Sequence, residues 1–329
     1  MGEGKKLALL GAAILCAYMM SRGAEDASAP GAASAPAELR SVMAEKTYAA
    51  DKSAAASIRA PASANGETEP PRYIASQADQ PVAMTISAAA LIRNETALEI
   101  DAASAVQNGT TIRLPGVGPQ ILIIHTHSSE AYTPAGLDRY EPSDSTRTED
   151  AEYNIIRVGD ELTRLLEEAG LHVIHDRGVY DYPSYTGSYA RSGAAVEQYL
   201  RDCPSIRVVL DVHRDALGAD GVIYKTVAEE QGTCASQAML LVGTDESGLE
   251  HPNWRDNLSL ALYLQNALLQ AHPTLMRPVS VVPQRYNQQL CTGMLILEVG
   301  SSGNTLQEAL AAIRLFADAA APALLALAE

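Results

Sequence analysis

Two histidines and a glutamate follow four apolar residues in the run Ile121-Leu122-Ile123-Ile124-His125-Thr126-His127-Ser128-Ser129-Glu130. The design recurs at Val208-Val209-Leu210-Asp211-Val212-His213 and at Met294-Leu295-Ile296-Leu297-Glu298. Imidazoles and carboxylates are the ligands of a catalytic zinc ion, which takes three protein groups and keeps a position open for water. The ion draws the pKa of that water towards ~7, and a nearby carboxylate takes its proton as the water attacks a carbonyl. His127, Glu130 and His213 are the candidate ligands and Glu298 the candidate base. A metallohydrolase is therefore the leading reading.

Taken singly, each residue has a plainer explanation. A histidine at a strand end is more often a hydrogen-bonded structural group, and Glu298 could be the first solvated residue after its strand. Side chains alternate along an extended segment, so His125 and His127 share a face and both can reach an ion. His127 lies further past the strand, where the backbone can turn with Glu130 around a metal, which leaves His125 a supporting histidine. Asp211 beside His213 is either part of an ion-paired loop or the group that orients the other ring nitrogen. The joint occurrence of three such rims is what favours chemistry over structure.

These residues need elements to carry them. Apolar strands are expected at Ile121–Ile124, 172–175, 206–212, 222–227, 238–242 and 294–298. Helical spacing predicts helices at 149–169, 185–202, 257–269 and 305–328, with Asn304 capping the last. Strands alternating with helices imply an α/β fold with a mostly parallel sheet flanked by helices. Ligands bind beyond the carboxyl ends of strands in such folds, where all three rims fall. His172, His175, His251 and His272 stand outside this geometry. Tyr180, Tyr182, Tyr185 and Tyr189 cluster near a turn, as surface packing or, on the sharper reading, as a stacking platform for sugars.

The 329 residues carry a net charge of −16, which would repel nucleic-acid phosphates. Of the cysteines, Cys16, Cys203, Cys234 and Cys291, one lies in an N-terminal apolar run and none forms a CxxC pair, which argues against a disulfide framework or thiolate zinc site. Lys5 and Lys6 precede that run, residues 7–20, whose helical length of ~21 Å is short of a ~30 Å hydrocarbon core. Residues 1–22 are thus expected to be a signal anchor or signal peptide. Residues 23–81 form an Ala/Ser/Pro-rich linker without sustained periodicity, expected to be disordered. Residues 82–119 are expected to make a small β-rich edge element, and 120–329 the catalytic domain.

At these residues the chain resembles the stage II sporulation protein P family of endospore-forming bacteria. The resemblance is carried by His125-Thr126-His127-Ser128-Ser129-Glu130-Ala131-Tyr132, Asp211-Val212-His213-Arg214-Asp215-Ala216, Tyr286-Asn287-Gln288-Gln289-Leu290 and Leu297-Glu298-Val299-Gly300. Asn154-Ile155-Ile156-Arg157-Val158-Gly159 resembles the start of that family's first helix. More distantly, the chain is similar to zinc-dependent N-acetylmuramoyl-L-alanine amidases. The resemblance implies an amidase-like fold and a membrane-anchored, Zn²⁺-dependent peptidoglycan hydrolase, an amidase with endopeptidase activity besides. It would work in engulfment of the forespore, with its catalytic domain outside the cytoplasm and stage II sporulation proteins D and M as partners. It assigns His127 and His213 as ligands and Glu298 as the catalytic glutamate. For the third ligand, the sporulation family points to Glu130, whereas the distant amidases point to a glutamate before the first helix, here Glu149 or Glu152. A catalytically inactive wall-binding or scaffold module on the same fold is the alternative, and it has no need to keep His127, His213 and Glu298 together.

Overall fold

A computed structural model describes residues 84–87, 90–136, 139–219, 221–230 and 232–329. The expected anchor and linker lie outside these residues, and among the described residues no helix is long and apolar enough to cross a membrane. In chain order the elements are β1 (Met84–Ser87), β2 (Ala90–Asn94), α1 (Ala102–Asn108), β3 (Ile121–Ile124), α2 (Ile155–Glu168), β4 (Val173–His175) and α3 (Ser188–Asp202). There follow β5 (Val208–Asp215), β6 (Gly218–Ala219), β7 (Val222–Ile223), β8 (Ala228–Glu230), β9 (Thr233–Ala235) and β10 (Ala238–Gly243). The chain closes with α4 (Trp254–Ala271), β11 (Val279–Val282), a 3-10 turn (Gln288–Leu290), β12 (Met294–Ser301) and α5 (Leu306–Leu325).

Eight strands make one sheet in the order β1-β2-β11-β10-β12-β5-β3-β4. Its pairings are parallel except β1 with β2 and β10 with β12, so the expected mostly parallel sheet is present. The direction reversal at β10 divides it: β4, β3, β5 and β12 run together and bring the three motifs to one end. Residues 84–87 and 90–94 are strands of this same sheet, added at its edge through β11. The segment expected as a strand at 222–227 is instead a two-residue strand hairpinned with β6, outside the main sheet.

The two faces are unequal. Ile121, Ile123, Leu210, Val212, Leu295 and Leu297 enter a large core with residues of α1, α2, α4 and α5. On the opposite face Leu122, Ile124, Val209 and Met294 form a small cluster with Val196 of α3. Strand parity then places Asp211 and His213 on the side of Val209, and Glu298 on the side of Met294. All three project from the thinly covered face.

Local chemistry accounts for the shifted helix ends. α2 begins at Ile155 and not near 149, because the Asn154 side chain accepts from Ile156 N–H (2.9 Å) and caps the helix there. Thr305, not Asn304, caps α5, and it forms a reciprocal capping box with Glu308. Asn304 instead turns back, accepting from Ser301 N–H at 3.0 Å and holding the loop after β12.

Candidate active site

β5 and β12 pair in parallel with Glu298 beside His213, so the second and third motifs meet in register. Neither residue marks the end of its strand as the sequence suggested: β5 continues to Asp215 and β12 to Ser301. The ladder persists because a register shift between Glu298 and Ser301 lets the strands pair again at Asp215. His213 and Glu298 therefore stand on the face of the sheet rather than on loops beyond it. Gly300, at φ 69°, turns the chain immediately after Glu298.

The first motif is brought to them by polar moorings. Asp211 accepts from Thr126 N–H (2.8 Å) and Thr126 Oγ1 (2.6 Å), tying the end of β3 to the middle of β5. Buried Asp181 accepts from Ser129 N–H (3.1 Å), Ser128 Oγ (3.0 Å) and Ser129 Oγ (2.7 Å), and pairs with Arg147 at 2.7 Å. The Glu130 carbonyl accepts Ile155 N–H at 2.7 Å, using one of the unpaired donors of the α2 terminus. This fixes the turn that points Glu130 inwards.

The result is a compact group. The rings of His127 and His213 lie 5.2 Å apart, edge to face. Glu130 Oε2 is 3.4 Å from His213 Nδ1, and Glu130 also accepts Arg214 N–H at 3.1 Å. Asp211 Oδ1 is 2.9 Å from His213 Nε2, an ionic contact off the line of a hydrogen bond. Glu130 is buried, whereas Glu149 and Glu152 are exposed, so of the three glutamates considered it is the one gathered here.

His125 goes elsewhere. Its ring points to the large core, where Nδ1 meets the Val212 carbonyl (2.8 Å) and Nε2 meets His175 Nε2 (2.9 Å). Gly159 makes room for that pair, since a Cβ there would fall 2.4 Å from His125 Nε2. Tyr185 and Tyr189 close around His127: Tyr185 stacks on it at 4.5 Å with its hydroxyl 3.0 Å from Nε2, and Tyr189 meets it edge-on at 5.5 Å. Tyr286 in turn packs on Tyr189 at 5.3 Å. The sequence marked the tyrosine cluster but favoured surface packing; it gave no sign of the roles of Arg147, Asp181 and His175, whose partners are remote in the chain.

Charge follows this packing. Burial pushes the Glu298 carboxyl up to about 8, with His213 opposing and Asp215 and Glu130 adding to the rise. Burial works the same way on Glu130, but Arg214 and His213 outweigh it and hold the group well below the usual carboxylate range. His213, despite burial, is held well above its usual value by Asp211 and Glu130. Burial lowers His127 to about 4. Two carboxylates facing one imidazole make this a place that favours positive charge.

Among the described residues no group of three or more His, Cys, Asp or Glu side chains is drawn close enough to hold an ion as the side chains stand. The donor set itself fits a zinc ion. His127 Nδ1 and Glu298 Oε2 are buried without a hydrogen-bond partner, a costly arrangement unless another group meets them. The 3.4 Å from Glu130 Oε2 to His213 Nδ1 matches the ~3.3 Å edge of a tetrahedron whose ligands lie ~2.0–2.1 Å from zinc. Asp211 supplies the outer carboxylate that zinc-binding histidines commonly have.

A parallel-rich α/β sheet thus carries imidazoles and carboxylates together on one face. The model of the stage II sporulation protein P family matches residues 31–321, and the chain belongs to that family. Stage II sporulation protein P of Bacillus subtilis (strain 168) is 26% identical over 203 residues, covering 57% of this chain and 47% of that protein. The chain thus matches about half the length of this curated relative. Among solved structures, it is similar to the N-acetylmuramoyl-L-alanine amidase AmiC2 of Nostoc punctiforme, with 15% identity, 64% of this chain and 98% of that chain covered, and a TM-score of 0.38. For the CwlD amidase from Clostridioides difficile, solved in complex with the GerS lipoprotein, the values are 14%, 63%, 98% and 0.39.

Proposed function

We propose that this chain is a zinc-dependent peptidoglycan hydrolase that remodels the cell wall in sporulation, cleaving the amide between N-acetylmuramic acid and L-alanine. His127, Glu130 and His213 would hold the ion, through His127 Nδ1, Glu130 Oε2 and His213 Nδ1. The observation that carries the reading is the meeting of these groups with Glu298, in register beside His213, on the open face of the sheet. Family membership supports the same setting. When bound, zinc supplies a Lewis acid for the scissile carbonyl and acidifies an attacking water.

The residues divide the remaining work. Glu298 Oε2 takes the proton from water as it adds to the amide carbon, then returns it to the leaving nitrogen as the C–N bond breaks. Asp211 fixes the His213 ring, and Arg214 and Arg147 hold Glu130 in place. A second activity on peptide crosslinks, anchoring through residues 1–22 with the domain outside the cytoplasm, and work beside stage II sporulation proteins D and M belong to the same proposal.

Mass spectrometry of sacculus digests tests it. The chain with zinc should release stem peptides, and chelation should stop release. A chain that binds no zinc and releases no fragment, yet still binds sacculi, would instead be the inactive wall-binding module.

A further inference from the structure

We propose that Tyr185 is a positioning residue for the metal, its phenolic oxygen accepting the Nε2 proton of His127 and so fixing the tautomer that presents Nδ1 to the ion. The inference rests on the metal-site reading above and goes beyond it to a residue outside the ligand set. A neutral imidazole carries one proton, and a nitrogen that binds a metal cannot hold it. If Nδ1 faces the ion, Nε2–H must find an acceptor. Tyr185 Oη is 3.0 Å from Nε2, and Nδ1 is the buried nitrogen without a partner. The stacked ring, 4.5 Å away and inclined by 15°, sets the plane of the imidazole as well. Arg147, whose guanidinium lies 5.0 Å from the Tyr185 ring centre, links this support to Glu130 and Asp181.

The two candidate histidine ligands are therefore supported differently. His213 leans on Asp211, a carboxylate with no exposed surface, inside a strand. His127 leans on a neutral phenol whose residue is 55% exposed, in the loop before α3. The His127 side is the one that a change in the surface loop can alter. Without the hydroxyl, the proton has no reason to stay on Nε2, and the tautomer with Nδ1–H competes with metal binding.

Zinc affinity of the full-length chain, measured by chelator competition, tests the inference without reference to hydrolysis. Tyr185→Phe keeps the stacked ring and should weaken zinc binding 10–100-fold, the usual effect of losing such an outer partner. Tyr182→Phe, in the same loop, should bind as the natural chain does. Equal affinity in Tyr185→Phe and the natural chain overturns the role of Tyr185 while leaving the metal site standing. Absence of zinc binding by the natural chain overturns the metal-site reading, and this inference with it. Should Tyr185→Phe fail to fold, nitrogen NMR of the zinc-loaded natural chain decides: His127 protonated at Nε2 supports the inference, and protonation at Nδ1 overturns it.

Discussion

The two faces of the sheet do different work. One is sealed by α1, α2, α4 and α5 over a continuous apolar core; the other carries α3, a small cluster, and the polar group around His213. Hydrophobic burial on the first face is large enough to hold strands together whose other side leaves Glu298 Oε2 and His127 Nδ1 without partners. Stability and chemistry are thus drawn from opposite sides of the same strands, one residue apart. Leu297 and Glu298 are neighbours in sequence and face different environments.

Exchanging a side chain on each face separates the two roles. Glu298→Gln should slow stem-peptide release 10²–10⁴-fold, about 3–5 kcal/mol in the barrier. Its melting temperature should hold or rise, because burial opposes ionisation of this carboxyl and a neutral amide carries no such cost. Loss of the fold in parallel with activity would undo the division. Leu162→Ala, in the large core, should cost about 2–5 kcal/mol in urea unfolding while the rate per folded molecule stays the same.

Smaller changes sharpen the contrast. Asp211→Asn should weaken zinc binding 10–100-fold, ~1.4–2.7 kcal/mol, read by chelator competition. An unchanged affinity would remove Asp211 as the support of His213. The least effect is expected from acid. Burial lowers His125 to about 3, and His127 and His251 to about 4. Each is neutral when folded, so the unfolded chain binds more protons below ~6.5. Their contribution is complete above that pH and is lost as pH falls through the folded values. Glu161, on α2, is lowered to about 2 from 4.5 by Arg164 and Arg314 despite burial, and its share is lost only at lower pH. Glu298, pushed up to about 8 by burial, works the other way and adds stability as pH falls through this range. The three histidines outnumber it, so urea midpoints of the metal-free chain should still fall from about pH 7 to about pH 5.

Much of this was legible beforehand. The apolar runs marked β3, β5, β10 and β12, since buried parallel strands read as continuous hydrophobic stretches. Motif spacing picked out His127, Glu130, His213 and Glu298, and the structure gathers all four. Helix starts were less legible, because Asn154 and Gly187 end loops that share the helical composition beyond them. The division of His125 from His127 also needed the structure. Both were read as lying on one face, but the chain turns between them, sending His125 to His175 and His127 to Tyr185.

By itself the sequence determined the kinds of group available and the strands that carry them, because hydrophobic runs and ligand residues are local properties. Tertiary structure alone decided which carboxylate meets which imidazole. Glu130 over Glu149 and Glu152, and Tyr185 on His127, depend on strand order and on turns pinned by distant partners such as Asp181. Contacts between residues dozens of positions apart leave no period or spacing in the chain to read.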